Sequence, residues 1–462
     1  MHHTFADSLS GNGNISKSSS EVKFSERKPS STELPEGKVS SEASKNLIKV
    51  DSIIIQGNTI TDDDIILREL TFRRGDYISK KDLDYSRERI YSLSLFTNVN
   101  LISEASNETK LKAPNSKIVI DVKESWYFWP IPFVDIKENA LNKATYGMDI
   151  QYKNFRGRNE TLQATLGFGY DPVVTLVYNC PLLISEKDIF LSTVFSYRKY
   201  ANKSNYAEAL YGGSFDQKAA SGSLTIGKRL NLFNSLSLTL GYDYIESPVY
   251  KPGISASNGR IDRTVKSTIT YNFDSRDLKQ FPDSGLYVNL SYTYKGFNYN
   301  KISYSVLSFD IRDYLKLWRD LSAKWRVATR STYGSMVPFY DYSILGSLEK
   351  IRGHYNQIYE GNHFYVGSLE IKYPLLKEWD FSIKLPVVPE ELTSYRIGIY
   401  PYLFADAGAA QLKGHSISTR DFYSGYGAGM IFLFLPYNIF RVELALDEYK
   451  NKEVIFGFGF SF

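Results

Sequence analysis

The last nine residues, VIFGFGFSF (454–462), decide the fold. In an extended chain, side chains alternate between two faces, so this segment would place aromatic rings on one side and glycine or serine on the other. The rings on the shared face belong to Phe456, Phe458, Phe460 and Phe462. A soluble protein rarely exposes so apolar a terminal strand, because such an edge invites aggregation. The segment is therefore typical of a strand whose outer face meets lipid.

The same period of two extends upstream to Trp126. It is clear in TLQATLGFGY (161–170), SLSLTLGYDY (235–244) and GLYVNLSYTY (285–294). About sixteen such segments, roughly 20 residues apart, match strands of about ten residues joined by alternating short and long connections. A soluble sandwich or propeller would bury the apolar face in a core, whereas aromatic residues at strand ends favour a membrane barrel. Residues 126–462 are thus predicted to form a membrane all-β fold, a sixteen-stranded antiparallel transmembrane β-barrel.

Closure of the barrel requires its first and last strands to meet, because an open edge in hydrocarbon leaves backbone groups unpaired. The candidates are YFWPIPFVDI (127–136) and EVIFGFGFSF (453–462). Pro130 and Pro132 weaken the first strand, since proline donates no ladder hydrogen bond. This predicts a poorly paired seam, unless the two prolines lie before the strand begins.

Composition excludes several classes of function. Fifty-five Lys and Arg against 51 Asp and Glu give a net charge of +4, with no basic patch for nucleic acid. Cys180 is the single cysteine, so no intramolecular disulfide or cysteine-based metal cluster is expected. The five histidines are scattered, and no nucleophile has a base nearby in the sequence. We expect no enzyme activity, no bound metal and no cofactor.

Residues 1–46 are rich in Ser, Lys, Glu and Gly and are predicted to be disordered, because they have too few apolar side chains to bury. The first residues, MHHTFADSLSGNG, lack the basic and apolar regions of a secretory signal. The sequence as it stands thus predicts no export signal, which argues against an outer-membrane location.

Residues 47–125 read as a separate α+β module in the order β-α-α-β-β. IKVDSIIIQ (48–56) is a β-branched strand that ends at a Gly-Asn turn. A short acidic-capped helix follows at about Thr61, and Ser79 with Asp82 approximates the capping box of a second helix. The Gly-Asn turn, Gly75 between the helices and the exit FTNVNL together resemble the polypeptide-transport-associated (POTRA) domain. That resemblance implies a single periplasmic POTRA domain that binds extended clients at a sheet edge; the alternative is a small α+β domain without a client.

IRGH, residues Ile351, Arg352, Gly353 and His354, resembles the (V/I)RG(F/Y) motif in the sixth extracellular loop of the BamA/TamA outer-membrane assembly superfamily, also called the bacterial surface antigen family. In this family the loop folds back into the lumen and its arginine pairs with acidic residues of the barrel wall. Period-two parity turns Glu370 inward in FYVGSLEIKYPL (364–375) and Asp406 inward in YRIGIYPYLFADAG (395–408). The resemblance thus implies that Arg352 pairs with Glu370 and Asp406, either to serve transport or as a salt bridge that only stiffens the barrel.

Three further elements resemble the same family: FADAG (404–408), DSRDLKQFPDSG (274–285) and NFRG (154–157). Phe458, Phe460 and Phe462 resemble its C-terminal barrel signal. The sequence departs from the family in that His354 replaces an aromatic residue, Gly346-Ser347 stands where Gly-Gly is common, and only one POTRA domain fits.

These resemblances predict a bacterial outer-membrane protein that inserts or translocates polypeptides through POTRA capture and the barrel seam, with Arg352 holding the barrel rigid opposite the seam. The expected partners are unfolded outer-membrane or secreted polypeptides, outer-membrane lipids and accessory lipoproteins. The alternatives are a dedicated single-partner secretion pore and a passive outer-membrane channel. A mitochondrial sorting and assembly barrel, which also has one POTRA domain, stays open on architecture alone.

Overall fold

The computed structural model describes residues 47–105, 115–136, 141–347 and 349–459. The segment predicted to be disordered, residues 1–46, lies outside these ranges, as do Phe460 and Phe462 of the predicted C-terminal signal. Among the described residues, no helix combines the length and the apolar composition needed to cross a membrane.

The N-terminal domain is a four-stranded sheet covered by two helices. Its elements are β1 (Ile48–Gln56), α1 (Asp63–Leu67), β2 (Tyr77–Ile78), α2 (Lys80–Tyr91), β3 (Phe96–Ala105) and β4 (Asn115–Glu124), and the sheet order is β2-β1-β4-β3. Ser79 and Asp82 form the capping box at the start of α2. The structure adds one short strand, β2, to the predicted β-α-α-β-β order. Two residues are too few for a recognisable sequence pattern.

The rest of the chain forms a closed antiparallel barrel. Its strands are β5 (Phe128–Ile136), β6 (Ala144–Phe155), β7 (Glu160–Gly169), β8 (Val173–Ile184), β9 (Ile189–Ala201), β10 (Asp216–Arg229), β11 (Asn234–Glu246), β12 (Ile261–Asp274), β13 (Gly285–Lys295), β14 (Tyr304–Trp318), β15 (Leu321–Gly334), β18 (His363–Lys372), β19 (Leu376–Ser382), β20 (Ser394–Gln411), β21 (Tyr423–Leu435), β22 (Asn438–Asp447) and β23 (Lys452–Phe458). The connections hold helix α3 (Asn205–Tyr211) and the small hairpin of β16 (Ser343–Leu345) and β17 (Tyr359–Gly361).

The seventeen strand segments make sixteen positions around the wall, because β18 and β19 pair with opposite halves of β20. Proline explains the break between them. The β18–β20 ladder ends at the pair Lys372 and Tyr402, and the next position on β20 is Pro401. Pro401 accepts a hydrogen bond from Tyr373 N at 3.1 Å but has no N–H to return one. The predicted sixteen-stranded barrel is confirmed, with one strand interrupted.

The predicted seam lies between β5 and β23, which are neighbours in the barrel. Pro130 and Pro132 both lie inside β5, so the alternative that they precede the strand is wrong. Lys153 N donates to Tyr127 O at 2.8 Å, which makes the odd-numbered residues of β5 the hydrogen-bonded partners of β6. The even-numbered residues, including both prolines, therefore turn their backbone nitrogens towards β23.

Candidate functional site

The candidate site lies in the lumen, where loop six, the connection 335–362 between β15 and β18, folds against the wall. Arg352 is 6% exposed and donates to three carboxylates. Its Nε and Nη2 atoms each lie 2.6 Å from an oxygen of Asp406, a bidentate contact. Its Nη1 atom lies 2.8 Å from Glu370 Oε1 and 3.2 Å from Glu443 Oε1. The structure thus brings Arg352 together with both carboxylates named from the sequence, and with a third.

Two neighbouring residues fix the position of Arg352. The guanidinium carbon lies 3.9 Å from the centre of the Phe404 ring, so the element Phe404-x-Asp406 supplies both a stacking face and a carboxylate from one strand. On β21, a Cβ at Gly425 would lie 1.6 Å from the backbone oxygen of Arg352. Gly425 therefore provides the space that allows the loop backbone to lie directly on the wall.

Electrostatics keep this arginine charged. Burial alone would lower the pKa of Arg352, but the charge of Glu370 and the hydrogen bonds to Asp406 raise it well above its ordinary value. Glu370 also binds Lys324 Nζ at 2.6 Å, and Glu443 also binds Arg441 Nη1 at 3.4 Å. Asp406 differs, because among the described residues its hydrogen-bond donors all belong to Arg352: N, Nε and Nη2.

Sequence reasoning missed Glu443, although the signal was present. In RVELALDEY (441–449) the outward residues are Val442, Leu444 and Leu446, so Glu443 has inward parity. Its side chain is 2% exposed and also accepts a hydrogen bond from the Tyr402 hydroxyl. No resemblance pointed to this position, and parity alone does not select one inward carboxylate among several.

The other residues of the motif lie at the tip of loop six. Ile351 is buried with Leu345, Phe364 and Val366. Gly353 has a φ of +93°, which favours glycine, and its N–H lies 3.2 Å from Glu453 Oε2 on β23. His354 Nε2 lies 2.7 Å from Glu448 Oε2 in the β22–β23 hairpin. The loop tip therefore contacts a strand of the seam, and the expectation that it braces the barrel opposite the seam is wrong. The sequence offers no strand pairing from which the position of a folded-back loop could be predicted.

Two additional ion-pair clusters hold loop six to β13 and β15. Arg330 Nη2 and Lys295 Nζ lie 2.6 and 2.7 Å from the carboxylate of Asp341. Arg326 Nη2 on β15 lies 2.8 Å from Glu349 Oε1. Loop six is thus bound to the wall along β13–β15, β18 and β20–β23.

The N-terminal domain closes one end of the barrel through a buried carboxylate. Glu69 lies 2.8 Å from Arg89 of its own domain and 2.6 Å from Arg229 at the end of β10. Burial would raise the pKa of Glu69, but the charges of Arg229 and Arg89 lower it below its ordinary value. Both barrel hairpins singled out from the sequence lie here: Ser92 of the domain accepts from Lys279 N in the 274–285 hairpin at 2.9 Å, and Asn154 donates to Thr61 at 2.8 Å.

Within the described ranges, no group of three or more His, Cys, Asp or Glu side chains could hold a metal ion.

Comparisons with known proteins agree with this architecture. The Omp85 superfamily domain matches residues 154–462, and the POTRA family, described as a surface antigen variable number repeat, matches residues 48–125. The match from 154 to 462 covers more than half of the chain, and the protein belongs to the Omp85 superfamily of outer-membrane β-barrels. The predicted BamA/TamA relationship and the POTRA domain are therefore confirmed.

Individual relatives are more distant. A protein of Treponema pallidum (strain Nichols), whose name assigns it to outer membrane protein assembly, is 28% identical over a 309-residue alignment that covers 63% of this chain and 34% of that protein. The chain thus spans about a third of this relative's length. CdiB from Escherichia coli has a TM-score of 0.53 at 10% identity, with 90% of this chain and 76% of that chain covered, and it shares the fold. BamA from Haemophilus ducreyi lacking POTRA domains 1–3 has a TM-score of 0.49 at 17% identity, with 89% and 84% covered.

Proposed function

We propose that this protein inserts polypeptides into the outer membrane, or translocates them across it, without catalysing a reaction. In this proposal the N-terminal domain lies in the periplasm and receives an extended client on the free edge of β3, which pairs only with β4 among the described strands. The client then pairs at the junction of β5 and β23. Outer-membrane lipids receive the product, and accessory lipoproteins assist delivery.

The observation that carries the proposal is the composition of the seam edge of β5. Five residues of β5 turn their backbone towards β23: Phe128, Pro130, Pro132, Val134 and Ile136. Two of the five have no N–H to donate. Each missing hydrogen bond removes about 0.5–1.5 kcal/mol of net stabilisation, so this junction opens at a lower free-energy cost than a fully paired one. An opening at this junction would join the lumen to the membrane and admit a client strand.

The Arg352 cluster supports the same mechanism by making the rest of the wall rigid. Arg352 connects loop six to β18, β20 and β22 through Glu370, Asp406 and Glu443. A wall fixed at three strands concentrates deformation at the junction where the prolines lie. A purely structural role of the cluster would leave transport unchanged whenever the folded barrel persists.

A dedicated secretion pore is the second candidate, and the lining of the opposite wall favours it. Hydroxyl pairs cross the strands there: Thr175 with Ser196, Thr225 with Thr239, and Thr268 with Thr293, at 3.1, 2.7 and 2.8 Å. The contacts of loop six lie mainly on β13–β15, β18 and β20–β23, so strands β8–β12 carry most of these small hydroxyl side chains, together with the Lys266–Asp243 ion pair, on a part of the wall that the loop leaves largely uncovered. Such a surface would let an extended chain slide past without strong binding.

Quantitative proteomics of the outer membrane after depletion of this protein distinguishes the candidates. Broad loss of barrel proteins would indicate an insertase, and loss of one or a few surface proteins would indicate a dedicated pore. An unchanged proteome would refute both and leave a passive channel. The seam is tested in depleted cells that express the variant Pro130→Val/Pro132→Val. These cells should assemble client proteins more slowly although the variant barrel itself folds. Normal assembly would exclude the β5 edge from the mechanism.

A further inference from the structure

The tip of loop six is attached to the last barrel strand by a single carboxylate. Glu453 of β23 accepts from the backbone N–H groups of Gly353 and Tyr355, each at 3.2 Å, and from Asn356 Nδ2 at 3.2 Å. Three donors of one turn converge on one side chain, and the side chain belongs to a strand of the seam. Loop position and the position of β23 are therefore physically connected.

A second contact lies next to the first and contains the residue that departs from the family motif. His354 is 4% exposed, and its ring packs against Tyr359 and Tyr423 with centroids 5.9 and 5.4 Å apart. Its Nε2 atom lies 2.7 Å from Glu448, and its Nδ1 atom lies 2.9 Å from Gln357 Oε1. The Tyr359 hydroxyl also lies 2.9 Å from Nδ1 and donates its own proton to Gln357. All three neighbours can therefore accept from the ring, and this geometry suits an imidazolium that donates from both nitrogens.

The charges around His354 favour its protonated form. Glu448 and Asp447 face it from the β22–β23 hairpin, Glu453 lies beside it on β23, Tyr423 faces it from β21 and Tyr359 from the loop itself. The neighbouring cation, Arg352, is engaged by Asp406, Glu370 and Glu443. Burial alone would lower the pKa of His354, but the hydrogen bonds to Gln357 and Glu448 and the charge of Glu448 raise it above the ordinary 6.5.

We propose that Glu453 and the His354–Glu448 pair tether the tip of loop six to β23, so that deprotonation of His354 loosens the loop and the seam strand together. A group with a raised pKa stabilises the folded contact fully below its unfolded pKa and loses that contribution as pH rises through the folded value. The tether is thus complete below the ordinary value of 6.5 and weakens as the pH rises through the folded value above it. The inference uses the proposed function only in taking the β5–β23 junction as the client route, and the tether is tested without a client.

The test is hydrogen–deuterium exchange of the full chain in detergent micelles at pH 6 and pH 8, corrected for the intrinsic pH dependence of exchange. Peptides that cover 351–358 and 452–458 report on the loop tip and on β23. In the unaltered protein, both segments should lose protection together, by several-fold, between pH 6 and pH 8, because the raised pKa of His354 links both contacts to one titration. His354→Phe keeps an aromatic ring in the same packing and should abolish this pH dependence.

Glu453→Gln should lower protection of both segments at either pH, because the amide is a weaker acceptor for three donors. Glu448→Gln provides a second variant if the first fails to fold. Glu349→Gln is the matched control: it frees the loop from Arg326 on β15, a strand that pairs with β14 and β18 and not with β23, and should leave 452–458 unchanged. The proposal is overturned if His354→Phe keeps the pH response, or if the loop tip loosens while β23 does not. Neither result depends on which clients the protein handles, so a failed tether is distinguishable from a failed transport hypothesis.

Discussion

Replacing Arg352 by alanine is the most informative perturbation of the lumen, because its cost can be worked from the contacts. The substitution removes four side-chain hydrogen bonds to three carboxylates. Glu370 keeps Lys324 and Glu443 keeps Arg441, so each retains a cation. Asp406, whose side chain is 3% exposed, loses both side-chain donors and is left as a buried charge. Breaking a buried pair costs about 3–5 kcal/mol, and water in the lumen moves the expected loss to about 3 kcal/mol.

The order of related variants follows from the same contacts. Asp406→Asn leaves Arg352 with Glu370 and Glu443 and should cost less, about 1–2 kcal/mol. Arg352→Lys keeps a charge but lacks the planar fork that binds Asp406 through two atoms, so it should recover only part of the stability. The double variant Arg352→Ala/Asp406→Asn should be less destabilised than the sum of the single changes by at least about 1 kcal/mol, since it removes the uncompensated charge.

These stability differences are measured by urea unfolding of the barrel in lipid vesicles. The folded fraction is read from the different gel mobilities of unheated and heated samples. Lys377→Ala is the control, because its 2.6 Å pair with Asp320 is largely exposed to solvent and should contribute little to stability. If Arg352→Ala unfolds at the same urea concentration as the control, the Arg352 cluster does not stabilise the barrel. Strict additivity in the double variant would show that the arginine and the aspartate do not interact.

Three further changes test other parts of the molecule. Pro130→Val/Pro132→Val restores two N–H donors at the seam and should stabilise the barrel by about 1–3 kcal/mol in the same urea assay; a loss of stability would contradict the assigned backbone direction. Glu69→Gln should free the N-terminal domain from the barrel and raise its hydrogen exchange. In the unaltered protein the lowered pKa of Glu69 means that docking is intact above its ordinary value of 4.5 and fails as pH falls through the folded value, a response that the variant should lack. Gly425→Ala places a Cβ 1.6 Å from a loop carbonyl and should cost about 1–3 kcal/mol, whereas Gly222→Ala, whose Cβ meets nothing within 4 Å, should be tolerated; equal effects would argue against the close approach.

The barrel was predictable because its signal repeats. Each wall strand carries the same period of two, so an error in one segment leaves the others intact, and the apolar face has only lipid to meet. The interruption between β18 and β19 was harder to foresee, although Pro374 and Pro401 are visible in the sequence. They act together only because the register brings Pro401 opposite Tyr373, and register between strands is not written in either strand alone.

The lumen shows where such reasoning stops. Parity predicts which side of the wall a residue faces, and the structure has Glu370, Asp406 and Glu443 all buried beside Arg352. Parity cannot predict the path of a loop that returns into the barrel. The contacts of such a loop join residues about 20 to 100 positions apart, and no strand ladder aligns them. A resemblance supplied the arginine and two of its partners, while Glu443 on β22 and Glu453 on β23 had no such guide.

The glutamates on β22 and β23 change the mechanical picture of the barrel. A loop bound only to β15, β18 and β20 would stiffen one side and leave the seam independent of it. The same loop turn instead contacts Glu443 and Glu453, on the last two strands before the seam, within three residues of Arg352. Because β5 lacks two donors on its side of the junction, β23 depends more on its lumen contacts for its position. If the proposed tether holds, any force that withdraws loop six acts on a ladder that lacks two donors, through the side chains of Glu453 and His354.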